Sequence, residues 1–143
     1  MSLHHVAGFS CDFSPQRPID FEVSDAPISS DAGLLLIRQF DQKIRLTQQV
    51  ADAIEDRRDP NLTRQSILSM VRQRIFGILA DYEDQDDHDT LRSDPVFKLI
   101  ADRLPDGPDL ASQPTLSRFE NAVTTKDLFR ERDVLVDLFI QSY

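Results

Sequence analysis

The sequence predicts an all-α, or mainly α, domain with one short extended segment near the N-terminus. Two patterns point there. Apolar residues recur at three- and four-residue spacing through most of the chain, and hydroxyl or carboxylate residues stand where such stretches begin. The sole clear alternation of apolar and polar residues is Ile19, Phe21 and Val23 against Asp20, Glu22 and Ser24. A chain of 143 residues, 40% hydrophobic and 29% charged, has the size and balance of a single globular domain.

Residues 1–18 carry no helical period and end in Pro15 and Pro18, so a flexible arm is expected there, with the helical domain spanning 19–143. A lone strand at Ile19–Val23 calls for a partner outside the chain or is an extended lead-in, closed by Pro27. Ser29-Ser30-Asp31 then opens a helix to about Ile44, with Leu34, Leu35, Ile37 and Phe40 toward a core. Thr47 is placed to cap a short helix through Val50 and Ile54, and Asp56-Arg57-Arg58-Asp59-Pro60 reads as a polar turn. Thr63 is expected to cap a central helix ending near Asp81, whose stripe is Ile67, Val71, Ile75 and Ile78, widened by Leu68 and Leu79.

Asp94-Pro95 pairs an N-cap with proline at the first helical position, for a helix carrying Val96, Phe97, Leu99 and Ile100. Pro105-Asp106-Gly107-Pro108 is a loop, and Ser112-Gln113-Pro114 opens the next helix through Leu116 and Phe119. Thr124-Thr125 caps a last helix to the end of the chain. Its apolar positions, Leu128, Phe129, Val134, Leu135, Val136, Leu138, Phe139 and Ile140, wrap more than half of it. The helices upstream can cover one side of it, so the remainder is expected to seek other cover, including self-association.

The net charge of −9 argues against a partner held by bulk positive charge. The charge is uneven, however. Residues 31–80 hold eight basic against six acidic side chains, whereas residues 81–111 hold ten acidic against three basic. Only local patches such as Arg57, Arg58, Arg64, Arg72 and Arg74 can neutralise phosphates. No apolar run is long enough for a membrane span, no secretory leader pattern opens the chain, and one cysteine, Cys11, cannot form an internal disulfide. A cytoplasmic protein is expected, with no membrane partner.

Asp81-Tyr82-Glu83-Asp84-Gln85-Asp86-Asp87-His88-Asp89 is the densest chemical cluster. A calcium loop starting at Asp81 needs glycine sixth and an acid twelfth, where this chain has Asp86 and Arg92. These acids read instead as caps and solvated charge before Leu91, and no metal site is assigned. His4 and His5 lie in the arm, Cys11, Ser10 and Ser14 lack a base, and the four glycines form no phosphate loop. The helix starting near Gln113 carries Gln113, Thr115, Ser117 and Arg118, side chains that reach phosphates and base edges, although a polar helix start whose Leu116 and Phe119 pack inward is the plainer reading. Arg72 and Arg74 flank the central stripe, where solvated helix flanks are the plainer reading.

Three stretches, in order, resemble consecutive signatures of one family: Ser29-Ser30-Asp31-Ala32-Gly33-Leu34-Leu35-Leu36, Gly77 through Tyr82-Glu83-Asp84 to Asp94-Pro95, and Leu110-Ala111-Ser112-Gln113-Pro114-Thr115-Leu116-Ser117-Arg118-Phe119-Glu120-Asn121. Arg72-Gln73-Arg74 and Asp87-His88-Asp89-Thr90-Leu91-Arg92 fit the same pattern. Together they are similar to bacterial insertion-sequence transposases with the group 1 DDE domain. The resemblance implies cut-and-paste DNA transposition, by carboxylates on a ribonuclease-H-like core holding divalent metal, usually magnesium. It places those carboxylates after Tyr143, so the chain is expected to be the helical N-terminal part, truncated before the core and inactive alone. No catalytic residue and no metal ligand is carried over. The implied work is binding transposon ends, positioning the core or pairing subunits, with Arg72, Arg74, Gln113, Thr115, Ser117 and Arg118 as candidate DNA contacts. The alternatives are an acidic helical interaction or dimerisation module without direct DNA contact, and an unrelated enzyme whose metal site is the acidic run.

Overall fold

The computed structural model describes residues 9–11, 19–21 and 30–142. They form a mainly helical domain preceded by a two-stranded ribbon. Strand β1 (Phe9–Cys11) pairs antiparallel with β2 (Ile19–Phe21), with Phe9 opposite Phe21 and Cys11 opposite Ile19. The expected strand therefore finds its partner inside the chain, within the stretch read as an arm. The rest of that arm, with His4 and His5, and Val23, Pro27 and Ser29 lie outside the described residues. No helix among the described residues is long and apolar enough to cross a membrane.

A 3-10 turn, Ser30–Gly33, leads into α1 (Leu34–Ile44). Leu34 and Leu35 are buried as expected, but Ile37 and Phe40 face solvent, and Arg38 and Asp41 point inward in their place. The cause is a buried polar network. Arg38 donates to the Ile100 carbonyl (3.1 Å), to Asp41 (3.3 Å) and to Asp102 (3.1 Å). Asp41 accepts the Thr47 backbone N–H (2.9 Å) and hydroxyl (2.6 Å). Thr47 is thus not a cap: it lies within α2 (Leu46–Ala53), fastening that helix to α1. Arg72 completes the network, donating to Thr47 (3.3 Å) and pairing with Asp102. Burial, reinforced by the charge of Arg72, lowers the pKa of Arg38, although arginine remains protonated.

The central helix α3 (Ile67–Leu79) begins later than expected. Ser66 caps it, accepting from Ser69 N–H (3.1 Å), while the Thr63 hydroxyl donates to the Asp59 carbonyl (2.7 Å). Its buried face is Ser69, Met70, Val71, Arg72, Gln73, Phe76 and Gly77, whereas Ile78 and Leu79 of the expected stripe are exposed. An apolar residue on nearly every side gives this helix no unique hydrophobic direction, so its polar bonds set the rotation. Short helices α4 (His88–Leu91) and α5 (Pro95–Ile100) follow, the latter capped by Asp94, which accepts from Val96 and Phe97 N–H. They build the main core with Leu34, Leu35, Phe76, Phe97, Ile100 and Leu110, and Tyr82 meets Phe97 edge to face. A second cluster, Met70, Ala111 and Leu116, joins α3 to α6 (Gln113–Ala122).

The last helix, α7 (Thr125–Gln141), packs against α2. Thr124 and Asp127 form a reciprocal capping box. Asp127 is fully buried and also accepts from Glu55 N–H, Arg57 and Arg130. As expected, much of the helix stays uncovered: Leu128, Phe129, Leu135, Val136, Phe139 and Ile140 are all exposed.

Two outcomes follow for stability. Asp41→Ala leaves the Arg38 guanidinium buried with half its charge partners and should cost about 3 kcal/mol or more in urea unfolding, while the exposed Asp133→Ala should stay within about 0.5 kcal/mol. The Thr124 hydroxyl, then its N–H and Arg57, hold the Asp127 carboxyl well below the usual range. With its folded pKa depressed, its stabilisation is complete above the ordinary aspartate pKa of about 3.9 and is lost as pH falls below it. Thermal melts of wild type and Asp127→Asn should therefore differ by a constant amount from pH 7 to about 5, and converge only as pH falls from about 4 toward 2.

Candidate nucleic-acid interface

The position of α6 is set by one side chain. Gln73, fully buried on α3, donates to the Ala111 carbonyl (2.9 Å) and accepts the Ala111 N–H (3.0 Å). Its amide satisfies both backbone groups of a buried residue at once, as a neighbouring strand would. Leu110 N–H donates to the Arg92 carbonyl (2.9 Å), so the segment entering α6 is bonded on both sides. His88 supports Gln73 from below, its ring lying against Gly77, where an added Cβ would come within 2.8 Å of it. Burial, then the nearby Arg74, lowers the pKa of His88, favouring the neutral ring.

This framing opens a cleft of about 700 Å³ between the turn before α3, the loop before α6 and the first turns of α6. Arg58, Arg64, Arg92, Arg103 and Arg118 line it, against Asp59 and Asp109. Five arginines facing two aspartates make a local excess of positive charge on a chain of net −9. Three of the five are tied down. Arg58 is gripped by Asp56 (2.7 Å) and by the Gln65 carbonyl (2.8 Å). Arg92 pairs with Asp109 (3.3 Å), and Arg103 donates to the Asp109 carbonyl (2.6 Å) and to the Gln65 side chain. A hydrogen bond from Lys98, helped by Arg92, holds the Asp109 carboxyl below its usual range and keeps it charged.

The other two arginines are different. Arg64 and Arg118 are exposed, and no ion pair or hydrogen bond to another described residue engages either guanidinium. Thr115 shares the cleft with them, its hydroxyl 3.0 Å from that of Ser112. Two guanidiniums and adjacent hydroxyls suit an anion that presents several oxygens, as a phosphodiester backbone does.

Of the six residues expected to contact DNA, the structure brings Thr115 and Arg118 into this cleft. Gln113 and Ser117 do not line it: Gln113 N–H is bonded to Asp89 (3.0 Å), and Ser117 accepts from Asn121. Arg72 and Arg74 are not solvated flanks. Arg72 is buried in the α1–α2–α5 network, and Arg74 pairs with Glu120 (2.5 Å) and donates to the Glu83 carbonyl (2.9 Å). Their internal partners occupy the guanidinium faces that DNA contact requires. Arg92 and Arg103 were not legible as site residues, since both fall in the segment whose charge sums to strong acidity. Only the fold separates them from the acids around them.

The acidic run forms no carboxylate site for a divalent ion. Asp84 accepts Asp86 N–H (3.1 Å), Asp89 serves the start of α6, and His88 points into the core. No three His, Cys, Asp or Glu side chains converge as a metal-holding group among the described residues. Among the described residues, the donor sets do not fit the two-metal chemistry of DNA strand transfer. The family model for the transposase DDE domain, group 1, matches residues 13–143 of this chain. No curated protein and no solved structure matches it.

Gln73→Leu should disconnect the cleft from its support. It leaves two buried backbone groups of Ala111 unpaired, on the order of 2–5 kcal/mol by the usual cost of such groups. The Ala111 amide should then exchange markedly faster than the amides of α1, and equal protection in mutant and wild type would remove Gln73 from this role.

Proposed function

We propose, on the premise that this chain belongs to the transposase DDE domain group 1 family, that its helical domain grips duplex DNA through the arginine cleft. A role in transposition follows from family membership; the grip is our reading of the domain's share in it. The observation that carries it is the pairing of Arg64 and Arg118, distant in sequence, as two uncommitted guanidiniums in one cleft beside Thr115. Phosphate contacts hold and orient DNA without reading its sequence, which suits a domain that presents transposon ends to catalytic groups. Such contacts release counterions, so binding weakens steeply with salt. The net charge of −9 adds a general repulsion that the cleft has to overcome locally. The reducing cytoplasm, where such DNA lies, is also the compartment a single cysteine suits.

A second reading, subunit pairing, draws on α7. Phe129, Val136 and Phe139 lie outward at the seven- and three-residue spacing of one helix seam, flanked by Leu128, Leu135 and Ile140. An antiparallel pair of α7 helices sets Arg132 of each copy beside Asp137 of the other, in an isologous contact. Sedimentation measures it: Phe139→Lys should shift the chain toward monomer, and an unchanged mass distribution counts against α7 as the interface.

For the cleft, Arg64→Ala and Arg118→Ala should each weaken binding of a mixed-sequence duplex. Each should also reduce the slope of log affinity against log salt by about 1, one phosphate contact apiece. Arg132→Ala, on α7, should leave the slope unchanged. Cleft variants that bind with wild-type affinity and slope would place the DNA elsewhere or nowhere on this domain.

A further inference from the structure

Leu62 is 82% exposed, more than any other large hydrophobic side chain among the described residues. It does not sit on a loose loop. Asp59 accepts from the Asn61 N–H (2.9 Å) and side chain (3.2 Å), the Leu62 N–H donates to the Asp59 carbonyl (3.0 Å), and the Thr63 hydroxyl bonds that same carbonyl (2.7 Å). Pro60 fixes the backbone angle at the turn's second position. Arg58 anchors one end of the turn to Asp56 and to the Gln65 carbonyl. A turn so fully bonded presents its leucine at little further entropic cost, and nothing in the fold uses that leucine.

Leu62 lines the same cleft as Arg64 and Arg118. We propose that Leu62 is a wedge that enters a base step of duplex DNA held by the cleft and unstacks it. This rests on the reading of the cleft as a phosphate grip. Proteins that insert an apolar side chain between base steps pair it with nearby basic groups that hold the backbone, and the partial loss of stacking kinks the duplex toward its major groove. Both halves of that arrangement are present here: a bare leucine on a rigid turn, and an uncommitted arginine two residues along the chain. A protein partner fits less well, because interface centres are depleted in charge, and Leu62 is surrounded by Arg58, Asp59, Asn61 and Arg64. Pyrimidine–purine steps, the easiest to unstack, are the preferred point of entry. Wedging supplies what a phosphate grip alone lacks, a distortion that makes strands at a DNA end accessible.

The test uses a mixed-sequence duplex of about three helical turns carrying 2-aminopurine at TA and CA steps, a base whose fluorescence rises when it is unstacked. At saturating protein in low salt, wild type should raise the emission several-fold at one or more of these steps. Leu62→Ser should bind within about threefold of wild type yet abolish most of the rise, and Leu62→Met should keep it. Arg64→Ala combined with Arg118→Ala should lose binding and signal together. A saturated wild-type complex with no rise, or a rise that survives Leu62→Ser, overturns the wedge while leaving the grip intact. Failure of wild type to bind the duplex at all overturns both. Leu62 is solvent-exposed, so the melting temperature of Leu62→Ser should match wild type, which separates loss of signal from loss of fold.

Discussion

The fold depends on Asp102 accepting two buried arginines at once. Arg38 arrives from α1 and Arg72 from α3, and Asp102 meets both just past the end of α5. Asp41 and Thr47 complete the arrangement from α1 and α2. Four helices are thereby joined through one set of charge-assisted bonds. Asp102 holds a left-handed backbone (φ 60°), a conformation that costs a non-glycine residue about 1 kcal/mol or more. Its two arginine partners fix it there. Remove Asp102 and the buried guanidiniums of Arg38 and Arg72 lose the carboxylate they share, the situation that makes internal ion pairs costly to break.

The network also explains how an acidic chain keeps a basic cleft. Most carboxylates near arginines are spent internally: Asp102 and Asp41 on Arg38 and Arg72, Glu120 on Arg74, Asp127 on Arg57 and Arg130. Around the cleft the pairings are structural as well, since Asp109 and Gln65 hold Arg92 and Arg103 as walls. What remains uncommitted there is Arg64 and Arg118. Net charge is thus a poor guide to this surface, because the positive groups that could face a partner are chosen by which ones lack an internal acid.

Much of the framework was legible in the sequence, and the physics says why. Asp94-Pro95 and Thr124-Thr125 mark helix starts correctly because capping is a local bond between residues two or three apart, and Ser112-Gln113-Pro114 does so through a proline in the first turn, without a side-chain cap bond. The over-wrapped apolar surface of α7 is a property of one helix and was read directly. Errors arose wherever a distant partner decided the outcome. Ile37 and Phe40 gave up the inward face of α1 to Arg38 and Asp41 because Ile100 and Asp102 lie opposite. Thr47 and Thr63 bind a side chain and a carbonyl rather than opening helices. Half of the candidate site was visible, as Thr115 and Arg118 on a polar helix start. The rest depended on Gln73, whose clamp on Ala111 spans 38 residues and leaves no periodic trace.

Internal acids commit Arg38, Arg72 and Arg74 and leave Arg64 and Arg118 to the ligand. Arginine side-chain Nε–H resonances, followed in a duplex DNA titration, test this residue by residue. The Arg64 and Arg118 signals should move on binding, with backbone shifts over residues 58–65 and 110–118, while those of Arg38, Arg72 and Arg74 hold their positions. Movement of the Arg72 or Arg74 signals with Arg64 and Arg118 unmoved would contradict it.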